Sequence, residues 1–264
     1  MTIEQGSAQD CLAERCGRLR ELHVPGEPLV LPNAWDVASA RAIVAAGFPV
    51  VATTSGGVAA ALGYEDHEGA PAEAMFAVSE RIVACVDVPV TVDAEAGYGM
   101  VADDLVERLK AMGVAGANLE DTDHSAHALQ SIEMQRERIT AVRAVADRLE
   151  YPLVINARVD TFIAEPGRSQ MELLDAATAR ASGYLAAGAD CVYPIFLHDA
   201  QARRRFVEAV DGPVNILTWP GGASVSELGE EGAARVSYGT TLHRTVMGEL
   251  DRLLKEISQA ADRG

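Results

Sequence analysis

Three acids and one arginine are spaced for metal-assisted chemistry on a carboxylate. The run Val92-Asp93-Ala94-Glu95-Ala96-Gly97-Tyr98-Gly99 holds two carboxylates, and Asn118-Leu119-Glu120-Asp121 holds two more. Clustered carboxylates repel, and they persist where a cation or a proton neutralises them. An all-oxygen set with room for water suits Mg²⁺, with Mn²⁺ as the alternative, better than zinc. Asp93, Glu95 and Glu120 are therefore the candidate metal ligands. Taken singly, such acids also serve as helix caps or solvated loop residues. Arg158, in Asn156-Ala157-Arg158-Val159-Asp160, ends an otherwise apolar run. Its planar guanidinium suits bidentate binding of a carboxylate, or a structural ion pair with a neighbouring acid. Ser55-Gly56-Gly57 offers a hydroxyl and approachable backbone N–H groups, a cradle for an oxyanion or carboxylate. An ordinary turn between strand and helix has the same composition.

His124 and His127 lie in the polar stretch Asp121-Thr122-Asp123-His124-Ser125-Ala126-His127. Their spacing permits a metal pair, although such histidines in an acidic loop are more often solvated. His124 is the candidate proton carrier there, with a reference pKa near ~6.5. No G-x-S-x-G, H-E-x-x-H, Walker A or G-x-G-x-x-G run is present, which removes the usual hydrolase, zincin and nucleotide signatures. Gly221-Gly222 and Gly239-Thr240 suit either a phosphate site or plain turns.

These residues need a scaffold that brings them together. Short apolar runs suited to buried parallel strands occur at 29–32, 50–53, 90–93, 116–120, 153–157, 191–194, 214–217 and 234–238. They are continuous rather than alternating, as expected when both sheet faces are covered. Helical spacing fills the intervals 34–46, 72–85, 102–112, 132–149, 171–187 and 199–210. Gly47, Gly113, Gly188 and Gly232 read as helix-terminating glycines before strands. Pro28, Pro89, Pro152 and Pro213 read as first strand residues, where a missing N–H does least harm. Eight strands alternating with helices predict a (β/α)8 TIM barrel, with a doubly wound open sheet as the alternative. The chain reads as a single domain over 1–264, with a leading helix at about 1–24 and an apolar-striped last helix at about 241–258. In a barrel, the C-terminal strand ends carry the active site. Asp93, Glu95, Glu120, Arg158 and the Ser55 turn all follow strands, so they converge.

The chain has 264 residues, and 22 Lys and Arg against 39 Asp and Glu give a net charge of −17. That balance argues against nucleic acid and anionic membrane as partners, since both need a cationic face. A small anionic substrate stays compatible, because one pocket can be locally positive. Cys11, Cys16, Cys85 and Cys191 are scattered with no C-x-x-C, so they read as small buried hydrophobes. The first twenty residues lack a basic segment followed by an apolar core, and no membrane-length apolar run occurs. A soluble, cytoplasmic protein is expected.

With these motifs in hand, the chain resembles the isocitrate lyase/phosphoenolpyruvate mutase superfamily. The resemblance runs from about Leu29 to Leu254. It rests on Thr54-Ser55-Gly56-Gly57, the 92–99 acid run, Asn118-Leu119-Glu120-Asp121 and Asn156-Ala157-Arg158. It implies a (β/α)8 barrel whose C-terminal helix is swapped between subunits, usually in a tetramer; a homo-oligomer, dimer or tetramer, is expected. It also implies Mg²⁺ and a small 2-oxo or 2-hydroxy acid, with a C–C or P–C bond made or broken beside an enolate. By the resemblance Asp93 is the direct ligand, and Glu95 and Glu120 hold metal-bound water. Ser55, Gly56 and Gly57 bind the substrate carboxylate with Arg158, Asp66 stands near metal and substrate, and Asn33 and Trp35 line the pocket mouth.

Departures from the family pattern shape the functional expectation. Lyases that cleave isocitrate or methylisocitrate carry a Lys-Lys/Arg-Cys-Gly-His loop where this chain has Thr122 to His127. The Lys-Thr-Asn loop of phosphonate mutases is absent too. Methylisocitrate lyases have Pro-Glu after the sixth strand, where Pro194 is followed here by Ile195. Glu95 replaces the commoner Asp. The expectation is a Mg²⁺-dependent carbon–carbon lyase or decarboxylase of a small 2-oxo or 2-hydroxy dicarboxylate, with Ser55, Asp66, His124 and Arg158 as its working side chains. The alternatives are a P–C bond enzyme of the phosphonopyruvate type and a non-catalytic 2-oxo acid binder.

Overall fold

The computed structural model describes residues 3–261, with side chains from residue 11 onward. Helix α1 (Ile3–Glu21) precedes β1 (Leu29–Leu31) and β2 (Asn33–Ala34), one barrel strand interrupted at Pro32. Then come α2 (Val37–Ala45), β3 (Val51–Thr53), α3 (Ser55–Leu62), α4 (Ala72–Ala84), β4 (Val90–Asp93), α5 (Ala102–Met112) and β5 (Gly116–Glu120). A small hairpin, β6 (Thr122–Asp123) and β7 (Ala128–Leu129), leads into α6 (Ile132–Arg148) and β8 (Val154–Val159). The chain continues through α7 (Thr161–Ala164), α8 (Gln170–Ala186), β9 (Cys191–Pro194), α9 (Ala200–Ala209), β10 (Asn215–Leu217), α10 (Val225–Glu230), β11 (Arg235–Ser237) and α11 (Thr241–Ala261).

The strands form a closed parallel ring, the expected TIM barrel. One sheet runs β2-β3-β4-β5-β8-β9, and the other runs β1-β11-β10. The β1–β2 strand joins them on one side. On the other, Val192 of β9 makes a parallel bridge with Val214 just before β10. The wall is almost wholly buried, which explains the continuous apolar runs. Gly47, Gly113, Gly188 and Gly232 all have positive φ, between 76° and 108°, as helix-ending glycines require. Pro28 and Pro89 stand directly before their strands, and Pro152 and Pro213 stand two residues before theirs.

The ends of the barrel differ. Helix α1 covers the N-terminal end, with Cys16 and Leu19 fully buried. Arg20 Nε donates to Asp190 Oδ1 at 2.8 Å, and its Nη2 donates to the carbonyls of Pro152 and Leu153. The leading helix expected outside the barrel is thus its bottom cover. Helix α11 stands apart at the other extreme, with no buried residue. No described helix is long and apolar enough to cross a membrane.

The structure corrects the reading of Ser55-Gly56-Gly57 as a turn. These residues are the first turn of α3. Two adjacent glycines oppose helix formation locally, and tertiary packing overrides that preference. A Cβ on Gly56 would lie 2.6 Å from Asp66 Oδ2 and 2.7 Å from Thr240 Oγ1. Glycine is needed there because other side chains press on the helix backbone.

Candidate active site

The C-terminal strand ends surround a cavity of about 200 Å³. Asn33, Thr54, Ser55, Asp66, Asp93 and Arg158 line it. Gly57 and Trp35 do not. The Trp35 ring meets His243 edge-on at 5.1 Å, and a Cβ on Gly57 would press on Trp35 and Thr54. These two residues shape the wall from behind. Gly56 likewise packs behind the cavity, against Asp66 and Thr240.

The acids converge around Glu120. Glu95, Glu120 and His124 each place a ligand atom within 4.8 Å of the others. Asp93 lies outside that trio and lines the cavity, which none of the three does. Its Oδ2 accepts from the Ser55 N–H at 3.1 Å, so the acid sits on the N-terminus of α3. Glu95 is 2 % exposed and held in a left-handed backbone, φ 48°. Its carboxylate accepts from Tyr98 Oη at 2.6 Å and from the Glu68 N–H at 2.5 Å. Burial pushes its pKa up to about 7, with Tyr98 opposing and Asp93 and Glu120 adding to the rise.

Glu120 is buried, and burial drives its pKa well above the usual range while Arg158 opposes. Its neighbours are Arg158 Nη2, 2.5 Å from Oε2, and His124 Nε2, which is hydrogen-bonded to Oε1. His124 therefore enters the site instead of lying in solvent, while His127 is exposed. The β6–β7 hairpin makes this possible by folding the polar loop back over the strand ends. The His67 ring covers His124 at 5.4 Å.

Both readings of Arg158 meet in one side chain. Nε and Nη2 donate to Asp160 at 2.6 and 2.8 Å, a bidentate pair, and the guanidinium also lines the cavity. Burial works against that charge, but Asp160 and Glu120 hold the arginine's pKa well above its ordinary value. Burial likewise disfavours the Asp160 charge, yet Arg158 and Thr122 bring its pKa below the usual range. Asp160 was legible beside Arg158 but carried no expectation of its own. Arg244, on the first turn of α11, also lines the cavity. Nothing in the sequence marks that residue, since only the folded helix brings it over the barrel mouth. Gly239 and Thr240 line the cavity, whereas Gly221 and Gly222 do not.

The site has the charge balance of a cation centre. Asp66, Asp93, Glu95, Glu120 and Asp160 face Arg158 and His124. Asp66 Oδ1 is buried with no hydrogen-bond partner. An orphaned carboxylate oxygen beside a clustered acid set fits a hard divalent cation. Asp93, which accepts from the Ser55 N–H, occupies the start of α3, and the N-cap Thr54 makes no side-chain cap there. Its hydroxyl meets that of Thr240 at 2.9 Å. The positive helix end thus already holds a carboxylate of the chain's own.

Comparison with known proteins shows what the chain is similar to. The family model described as phosphoenolpyruvate phosphomutase matches residues 19–258. An uncharacterized protein of Mycobacterium tuberculosis is 34% identical over 220 residues, covering 83% of this chain and 81% of the relative. Probable 2-methylisocitrate lyase 2 of Corynebacterium glutamicum is 31% identical over an alignment of 265 positions, 93% of this chain and 81% of the relative. Among solved structures, a provisionally named phosphonomutase of Burkholderia cenocepacia superposes with a TM-score of 0.86 at 39% identity, covering 92% of this chain and 99% of the other.

Proposed function

The chain belongs to the phosphoenolpyruvate phosphomutase family, within the isocitrate lyase/phosphoenolpyruvate mutase superfamily, and on that premise we propose that it is a Mg²⁺-dependent carbon–carbon lyase or decarboxylase of a small 2-oxo or 2-hydroxy dicarboxylate. One observation carries the reading. Asp66, Asp93 and Arg158 line one cavity, and the Arg158–Glu120 pair ties that cavity to the Glu95–Glu120–His124 cluster.

Asp93, Glu95 and Glu120 would hold the cation, with His124 beside them. A divalent cation there supplies electrostatic stabilisation of charge developing on the substrate's 2-oxygen. The rest falls to the chain's own groups. The Ser55 hydroxyl, with the N–H groups at the start of α3 that Asp93 does not engage, binds a substrate carboxylate. Asp160 and Glu120 fix the Arg158 plane through Nε and Nη2, leaving Nη1 for substrate. A fixed guanidinium orients a carboxylate at little entropic cost. When CO₂ leaves, the bonding electrons move toward the 2-oxygen, and the leaving group needs no proton. The carbon left behind does, and His124, held beside Glu120 through its Nε2, is the proton source we assign to it. This accounts for a site without the loop cysteine of the methylisocitrate lyases.

Arg244 favours a second reading, because a phosphonate needs a cation beyond Arg158. A panel of 2-oxo and 2-hydroxy diacids plus phosphonopyruvate, run with Mg²⁺ and with chelator, separates the readings. Pyruvate with CO₂, abolished by chelator, supports the decarboxylase. Pyruvate with inorganic phosphate replaces it by P–C chemistry, and tight binding without turnover replaces it by a binding protein.

A further inference from the structure

The cavity has two unlike halves, and the division follows the strand order. The strand ends β2 through β5 and β8 supply its polar half, including Asn33, Asp93 and Arg158. The segments after β8 and β9, together with the end of β10, supply Ile163, Ile195, Phe196 and Leu217. These four, with Tyr193 of β9 beside them, make the apolar part of the lining, built by three successive strands of the ring.

The apolar sector is held in place. Phe196 is 46% exposed, with its backbone in the left-handed region at φ 61°. A bulky side chain there is strained and persists only when its surroundings impose it. Gln170 imposes it. Its Nε2 donates to the Phe196 carbonyl at 2.6 Å, and its Oε1 accepts from the N–H groups of His198 and Asp199. The backbone that carries an exposed phenyl ring is thus held at the mouth of a polar cavity. Large apolar groups left open to water at a binding cavity mark what the cavity is shaped to cover.

Charge supply points the same way. Arg158 and Arg244 are the arginines that line the cavity, and Arg158 is already engaged by two acids. The helix N-terminus with Arg158 serves one substrate carboxylate, and Arg244 serves a second. A third carboxylate would lie against Ile195 and Leu217, where it would lose water and gain no partner.

We propose that this cavity selects dicarboxylates bearing an alkyl substituent, seated against Ile163, Ile195, Phe196 and Leu217, over both unsubstituted diacids and tricarboxylates. The inference rests on the reading above that the polar half holds the acid end of a 2-oxo or 2-hydroxy dicarboxylate.

The test is calorimetric binding to the full chain with Mg²⁺. The series is succinate, 2-methyl-, 2-ethyl- and 2-propylsuccinate and propane-1,2,3-tricarboxylate, with oxaloacetate as reference. Affinity should rise about fourfold per added methylene, and the tricarboxylate should bind more weakly than 2-propylsuccinate by at least about tenfold. In Ile195→Glu the ratio of propylsuccinate to succinate affinity should fall toward one. Phe196→Asn, whose side chain tolerates the left-handed backbone, should lower the same ratio if the first variant does not fold. A flat or reversed alkyl series with oxaloacetate still bound would overturn this inference alone. If neither oxaloacetate nor any succinate binds, the underlying reading fails, and this one with it.

Discussion

Glu120 and Arg158 are partners across the β5–β8 ladder, and Nη2 of the arginine lies 2.5 Å from Oε2 of the acid. The pair joins the metal half of the site to the substrate half. Both side chains are buried, so each depends on the other for charge compensation. Arg158→Met would leave Glu120 and Asp160 buried without their cation. Removing one partner of such a group costs about 3–5 kcal/mol, so denaturant unfolding should show a loss of that order. A stability change below about 1 kcal/mol would mean that the arginine is dispensable to the fold and serves substrate alone.

Asp93→Asn should abolish turnover and the dependence on divalent metal together, because it removes a charge at nearly constant shape. Its hydrogen bond from Ser55 can survive, since an amide oxygen also accepts. The fold should therefore persist, which a thermal melt checks. Normal turnover with Mg²⁺ in the variant would remove Asp93 from the ligand set.

Steady-state rates on methylisocitrate should be low compared with the best dicarboxylate. No cysteine stands in the 122–127 loop to protonate the departing carbanion. Cys191 is no substitute, because burial pushes its thiol up to about 12. Lost general acid catalysis typically costs ~10²–10⁴-fold. Comparable rates on the two substrates would contradict this, and if His124→Ala then removed methylisocitrate cleavage, His124 would be the replacement acid.

Self-association should run through α11. Val246, Met247, Leu250, Leu253, Leu254 and Ile257 are all exposed there. An apolar stripe this long is seldom left in water. Sedimentation should show an oligomer for the intact chain, and dissociated or aggregated protein for Leu250→Glu combined with Leu254→Glu. An unchanged, well-behaved oligomer in the double variant would place the interface elsewhere.

Stability should fall in mild acid through His23. Burial lowers its pKa from 6.5 to about 4, with the Arg235 charge adding to the effect. The folded chain therefore keeps a neutral imidazole, and its Nδ1–H donates to the Leu19 carbonyl at 2.8 Å. The unfolded chain binds a proton more readily. The contribution is fully present above pH ~6.5 and is lost progressively as pH falls toward ~4, up to about 3 kcal/mol. Melting temperature followed from pH 7.5 to 4.5 should decline more steeply in the native chain than in His23→Asn. Parallel curves would show that His23 does not titrate differently on folding.

The order of strands and helices was legible because each barrel strand is a short apolar run and each helix has its own period and stop signal. Gly47, Gly113, Gly188 and Gly232 are local signals of that kind, and local chemistry survives in one dimension. The acids at 93, 95 and 120 were legible too, because in a parallel barrel all strands end on the same face. What the sequence could not carry was any contact set by closure of the ring. Ser55-Gly56-Gly57 has a turn's composition, yet it starts a helix on which Asp66 and, from far along the chain, Thr240 press at Gly56. Trp35 follows a barrel strand yet points at His243 on the last helix. His124 has a solvated loop's composition, and the β6–β7 hairpin lays it on Glu120. Arg244 and the apolar sector from Ile163 to Leu217 become parts of one cavity only when the eighth strand meets the first. Composition and periodicity report what each segment does with its own neighbours. Which side chains share a cavity depends on ring closure, which pairs residues more than a hundred positions apart.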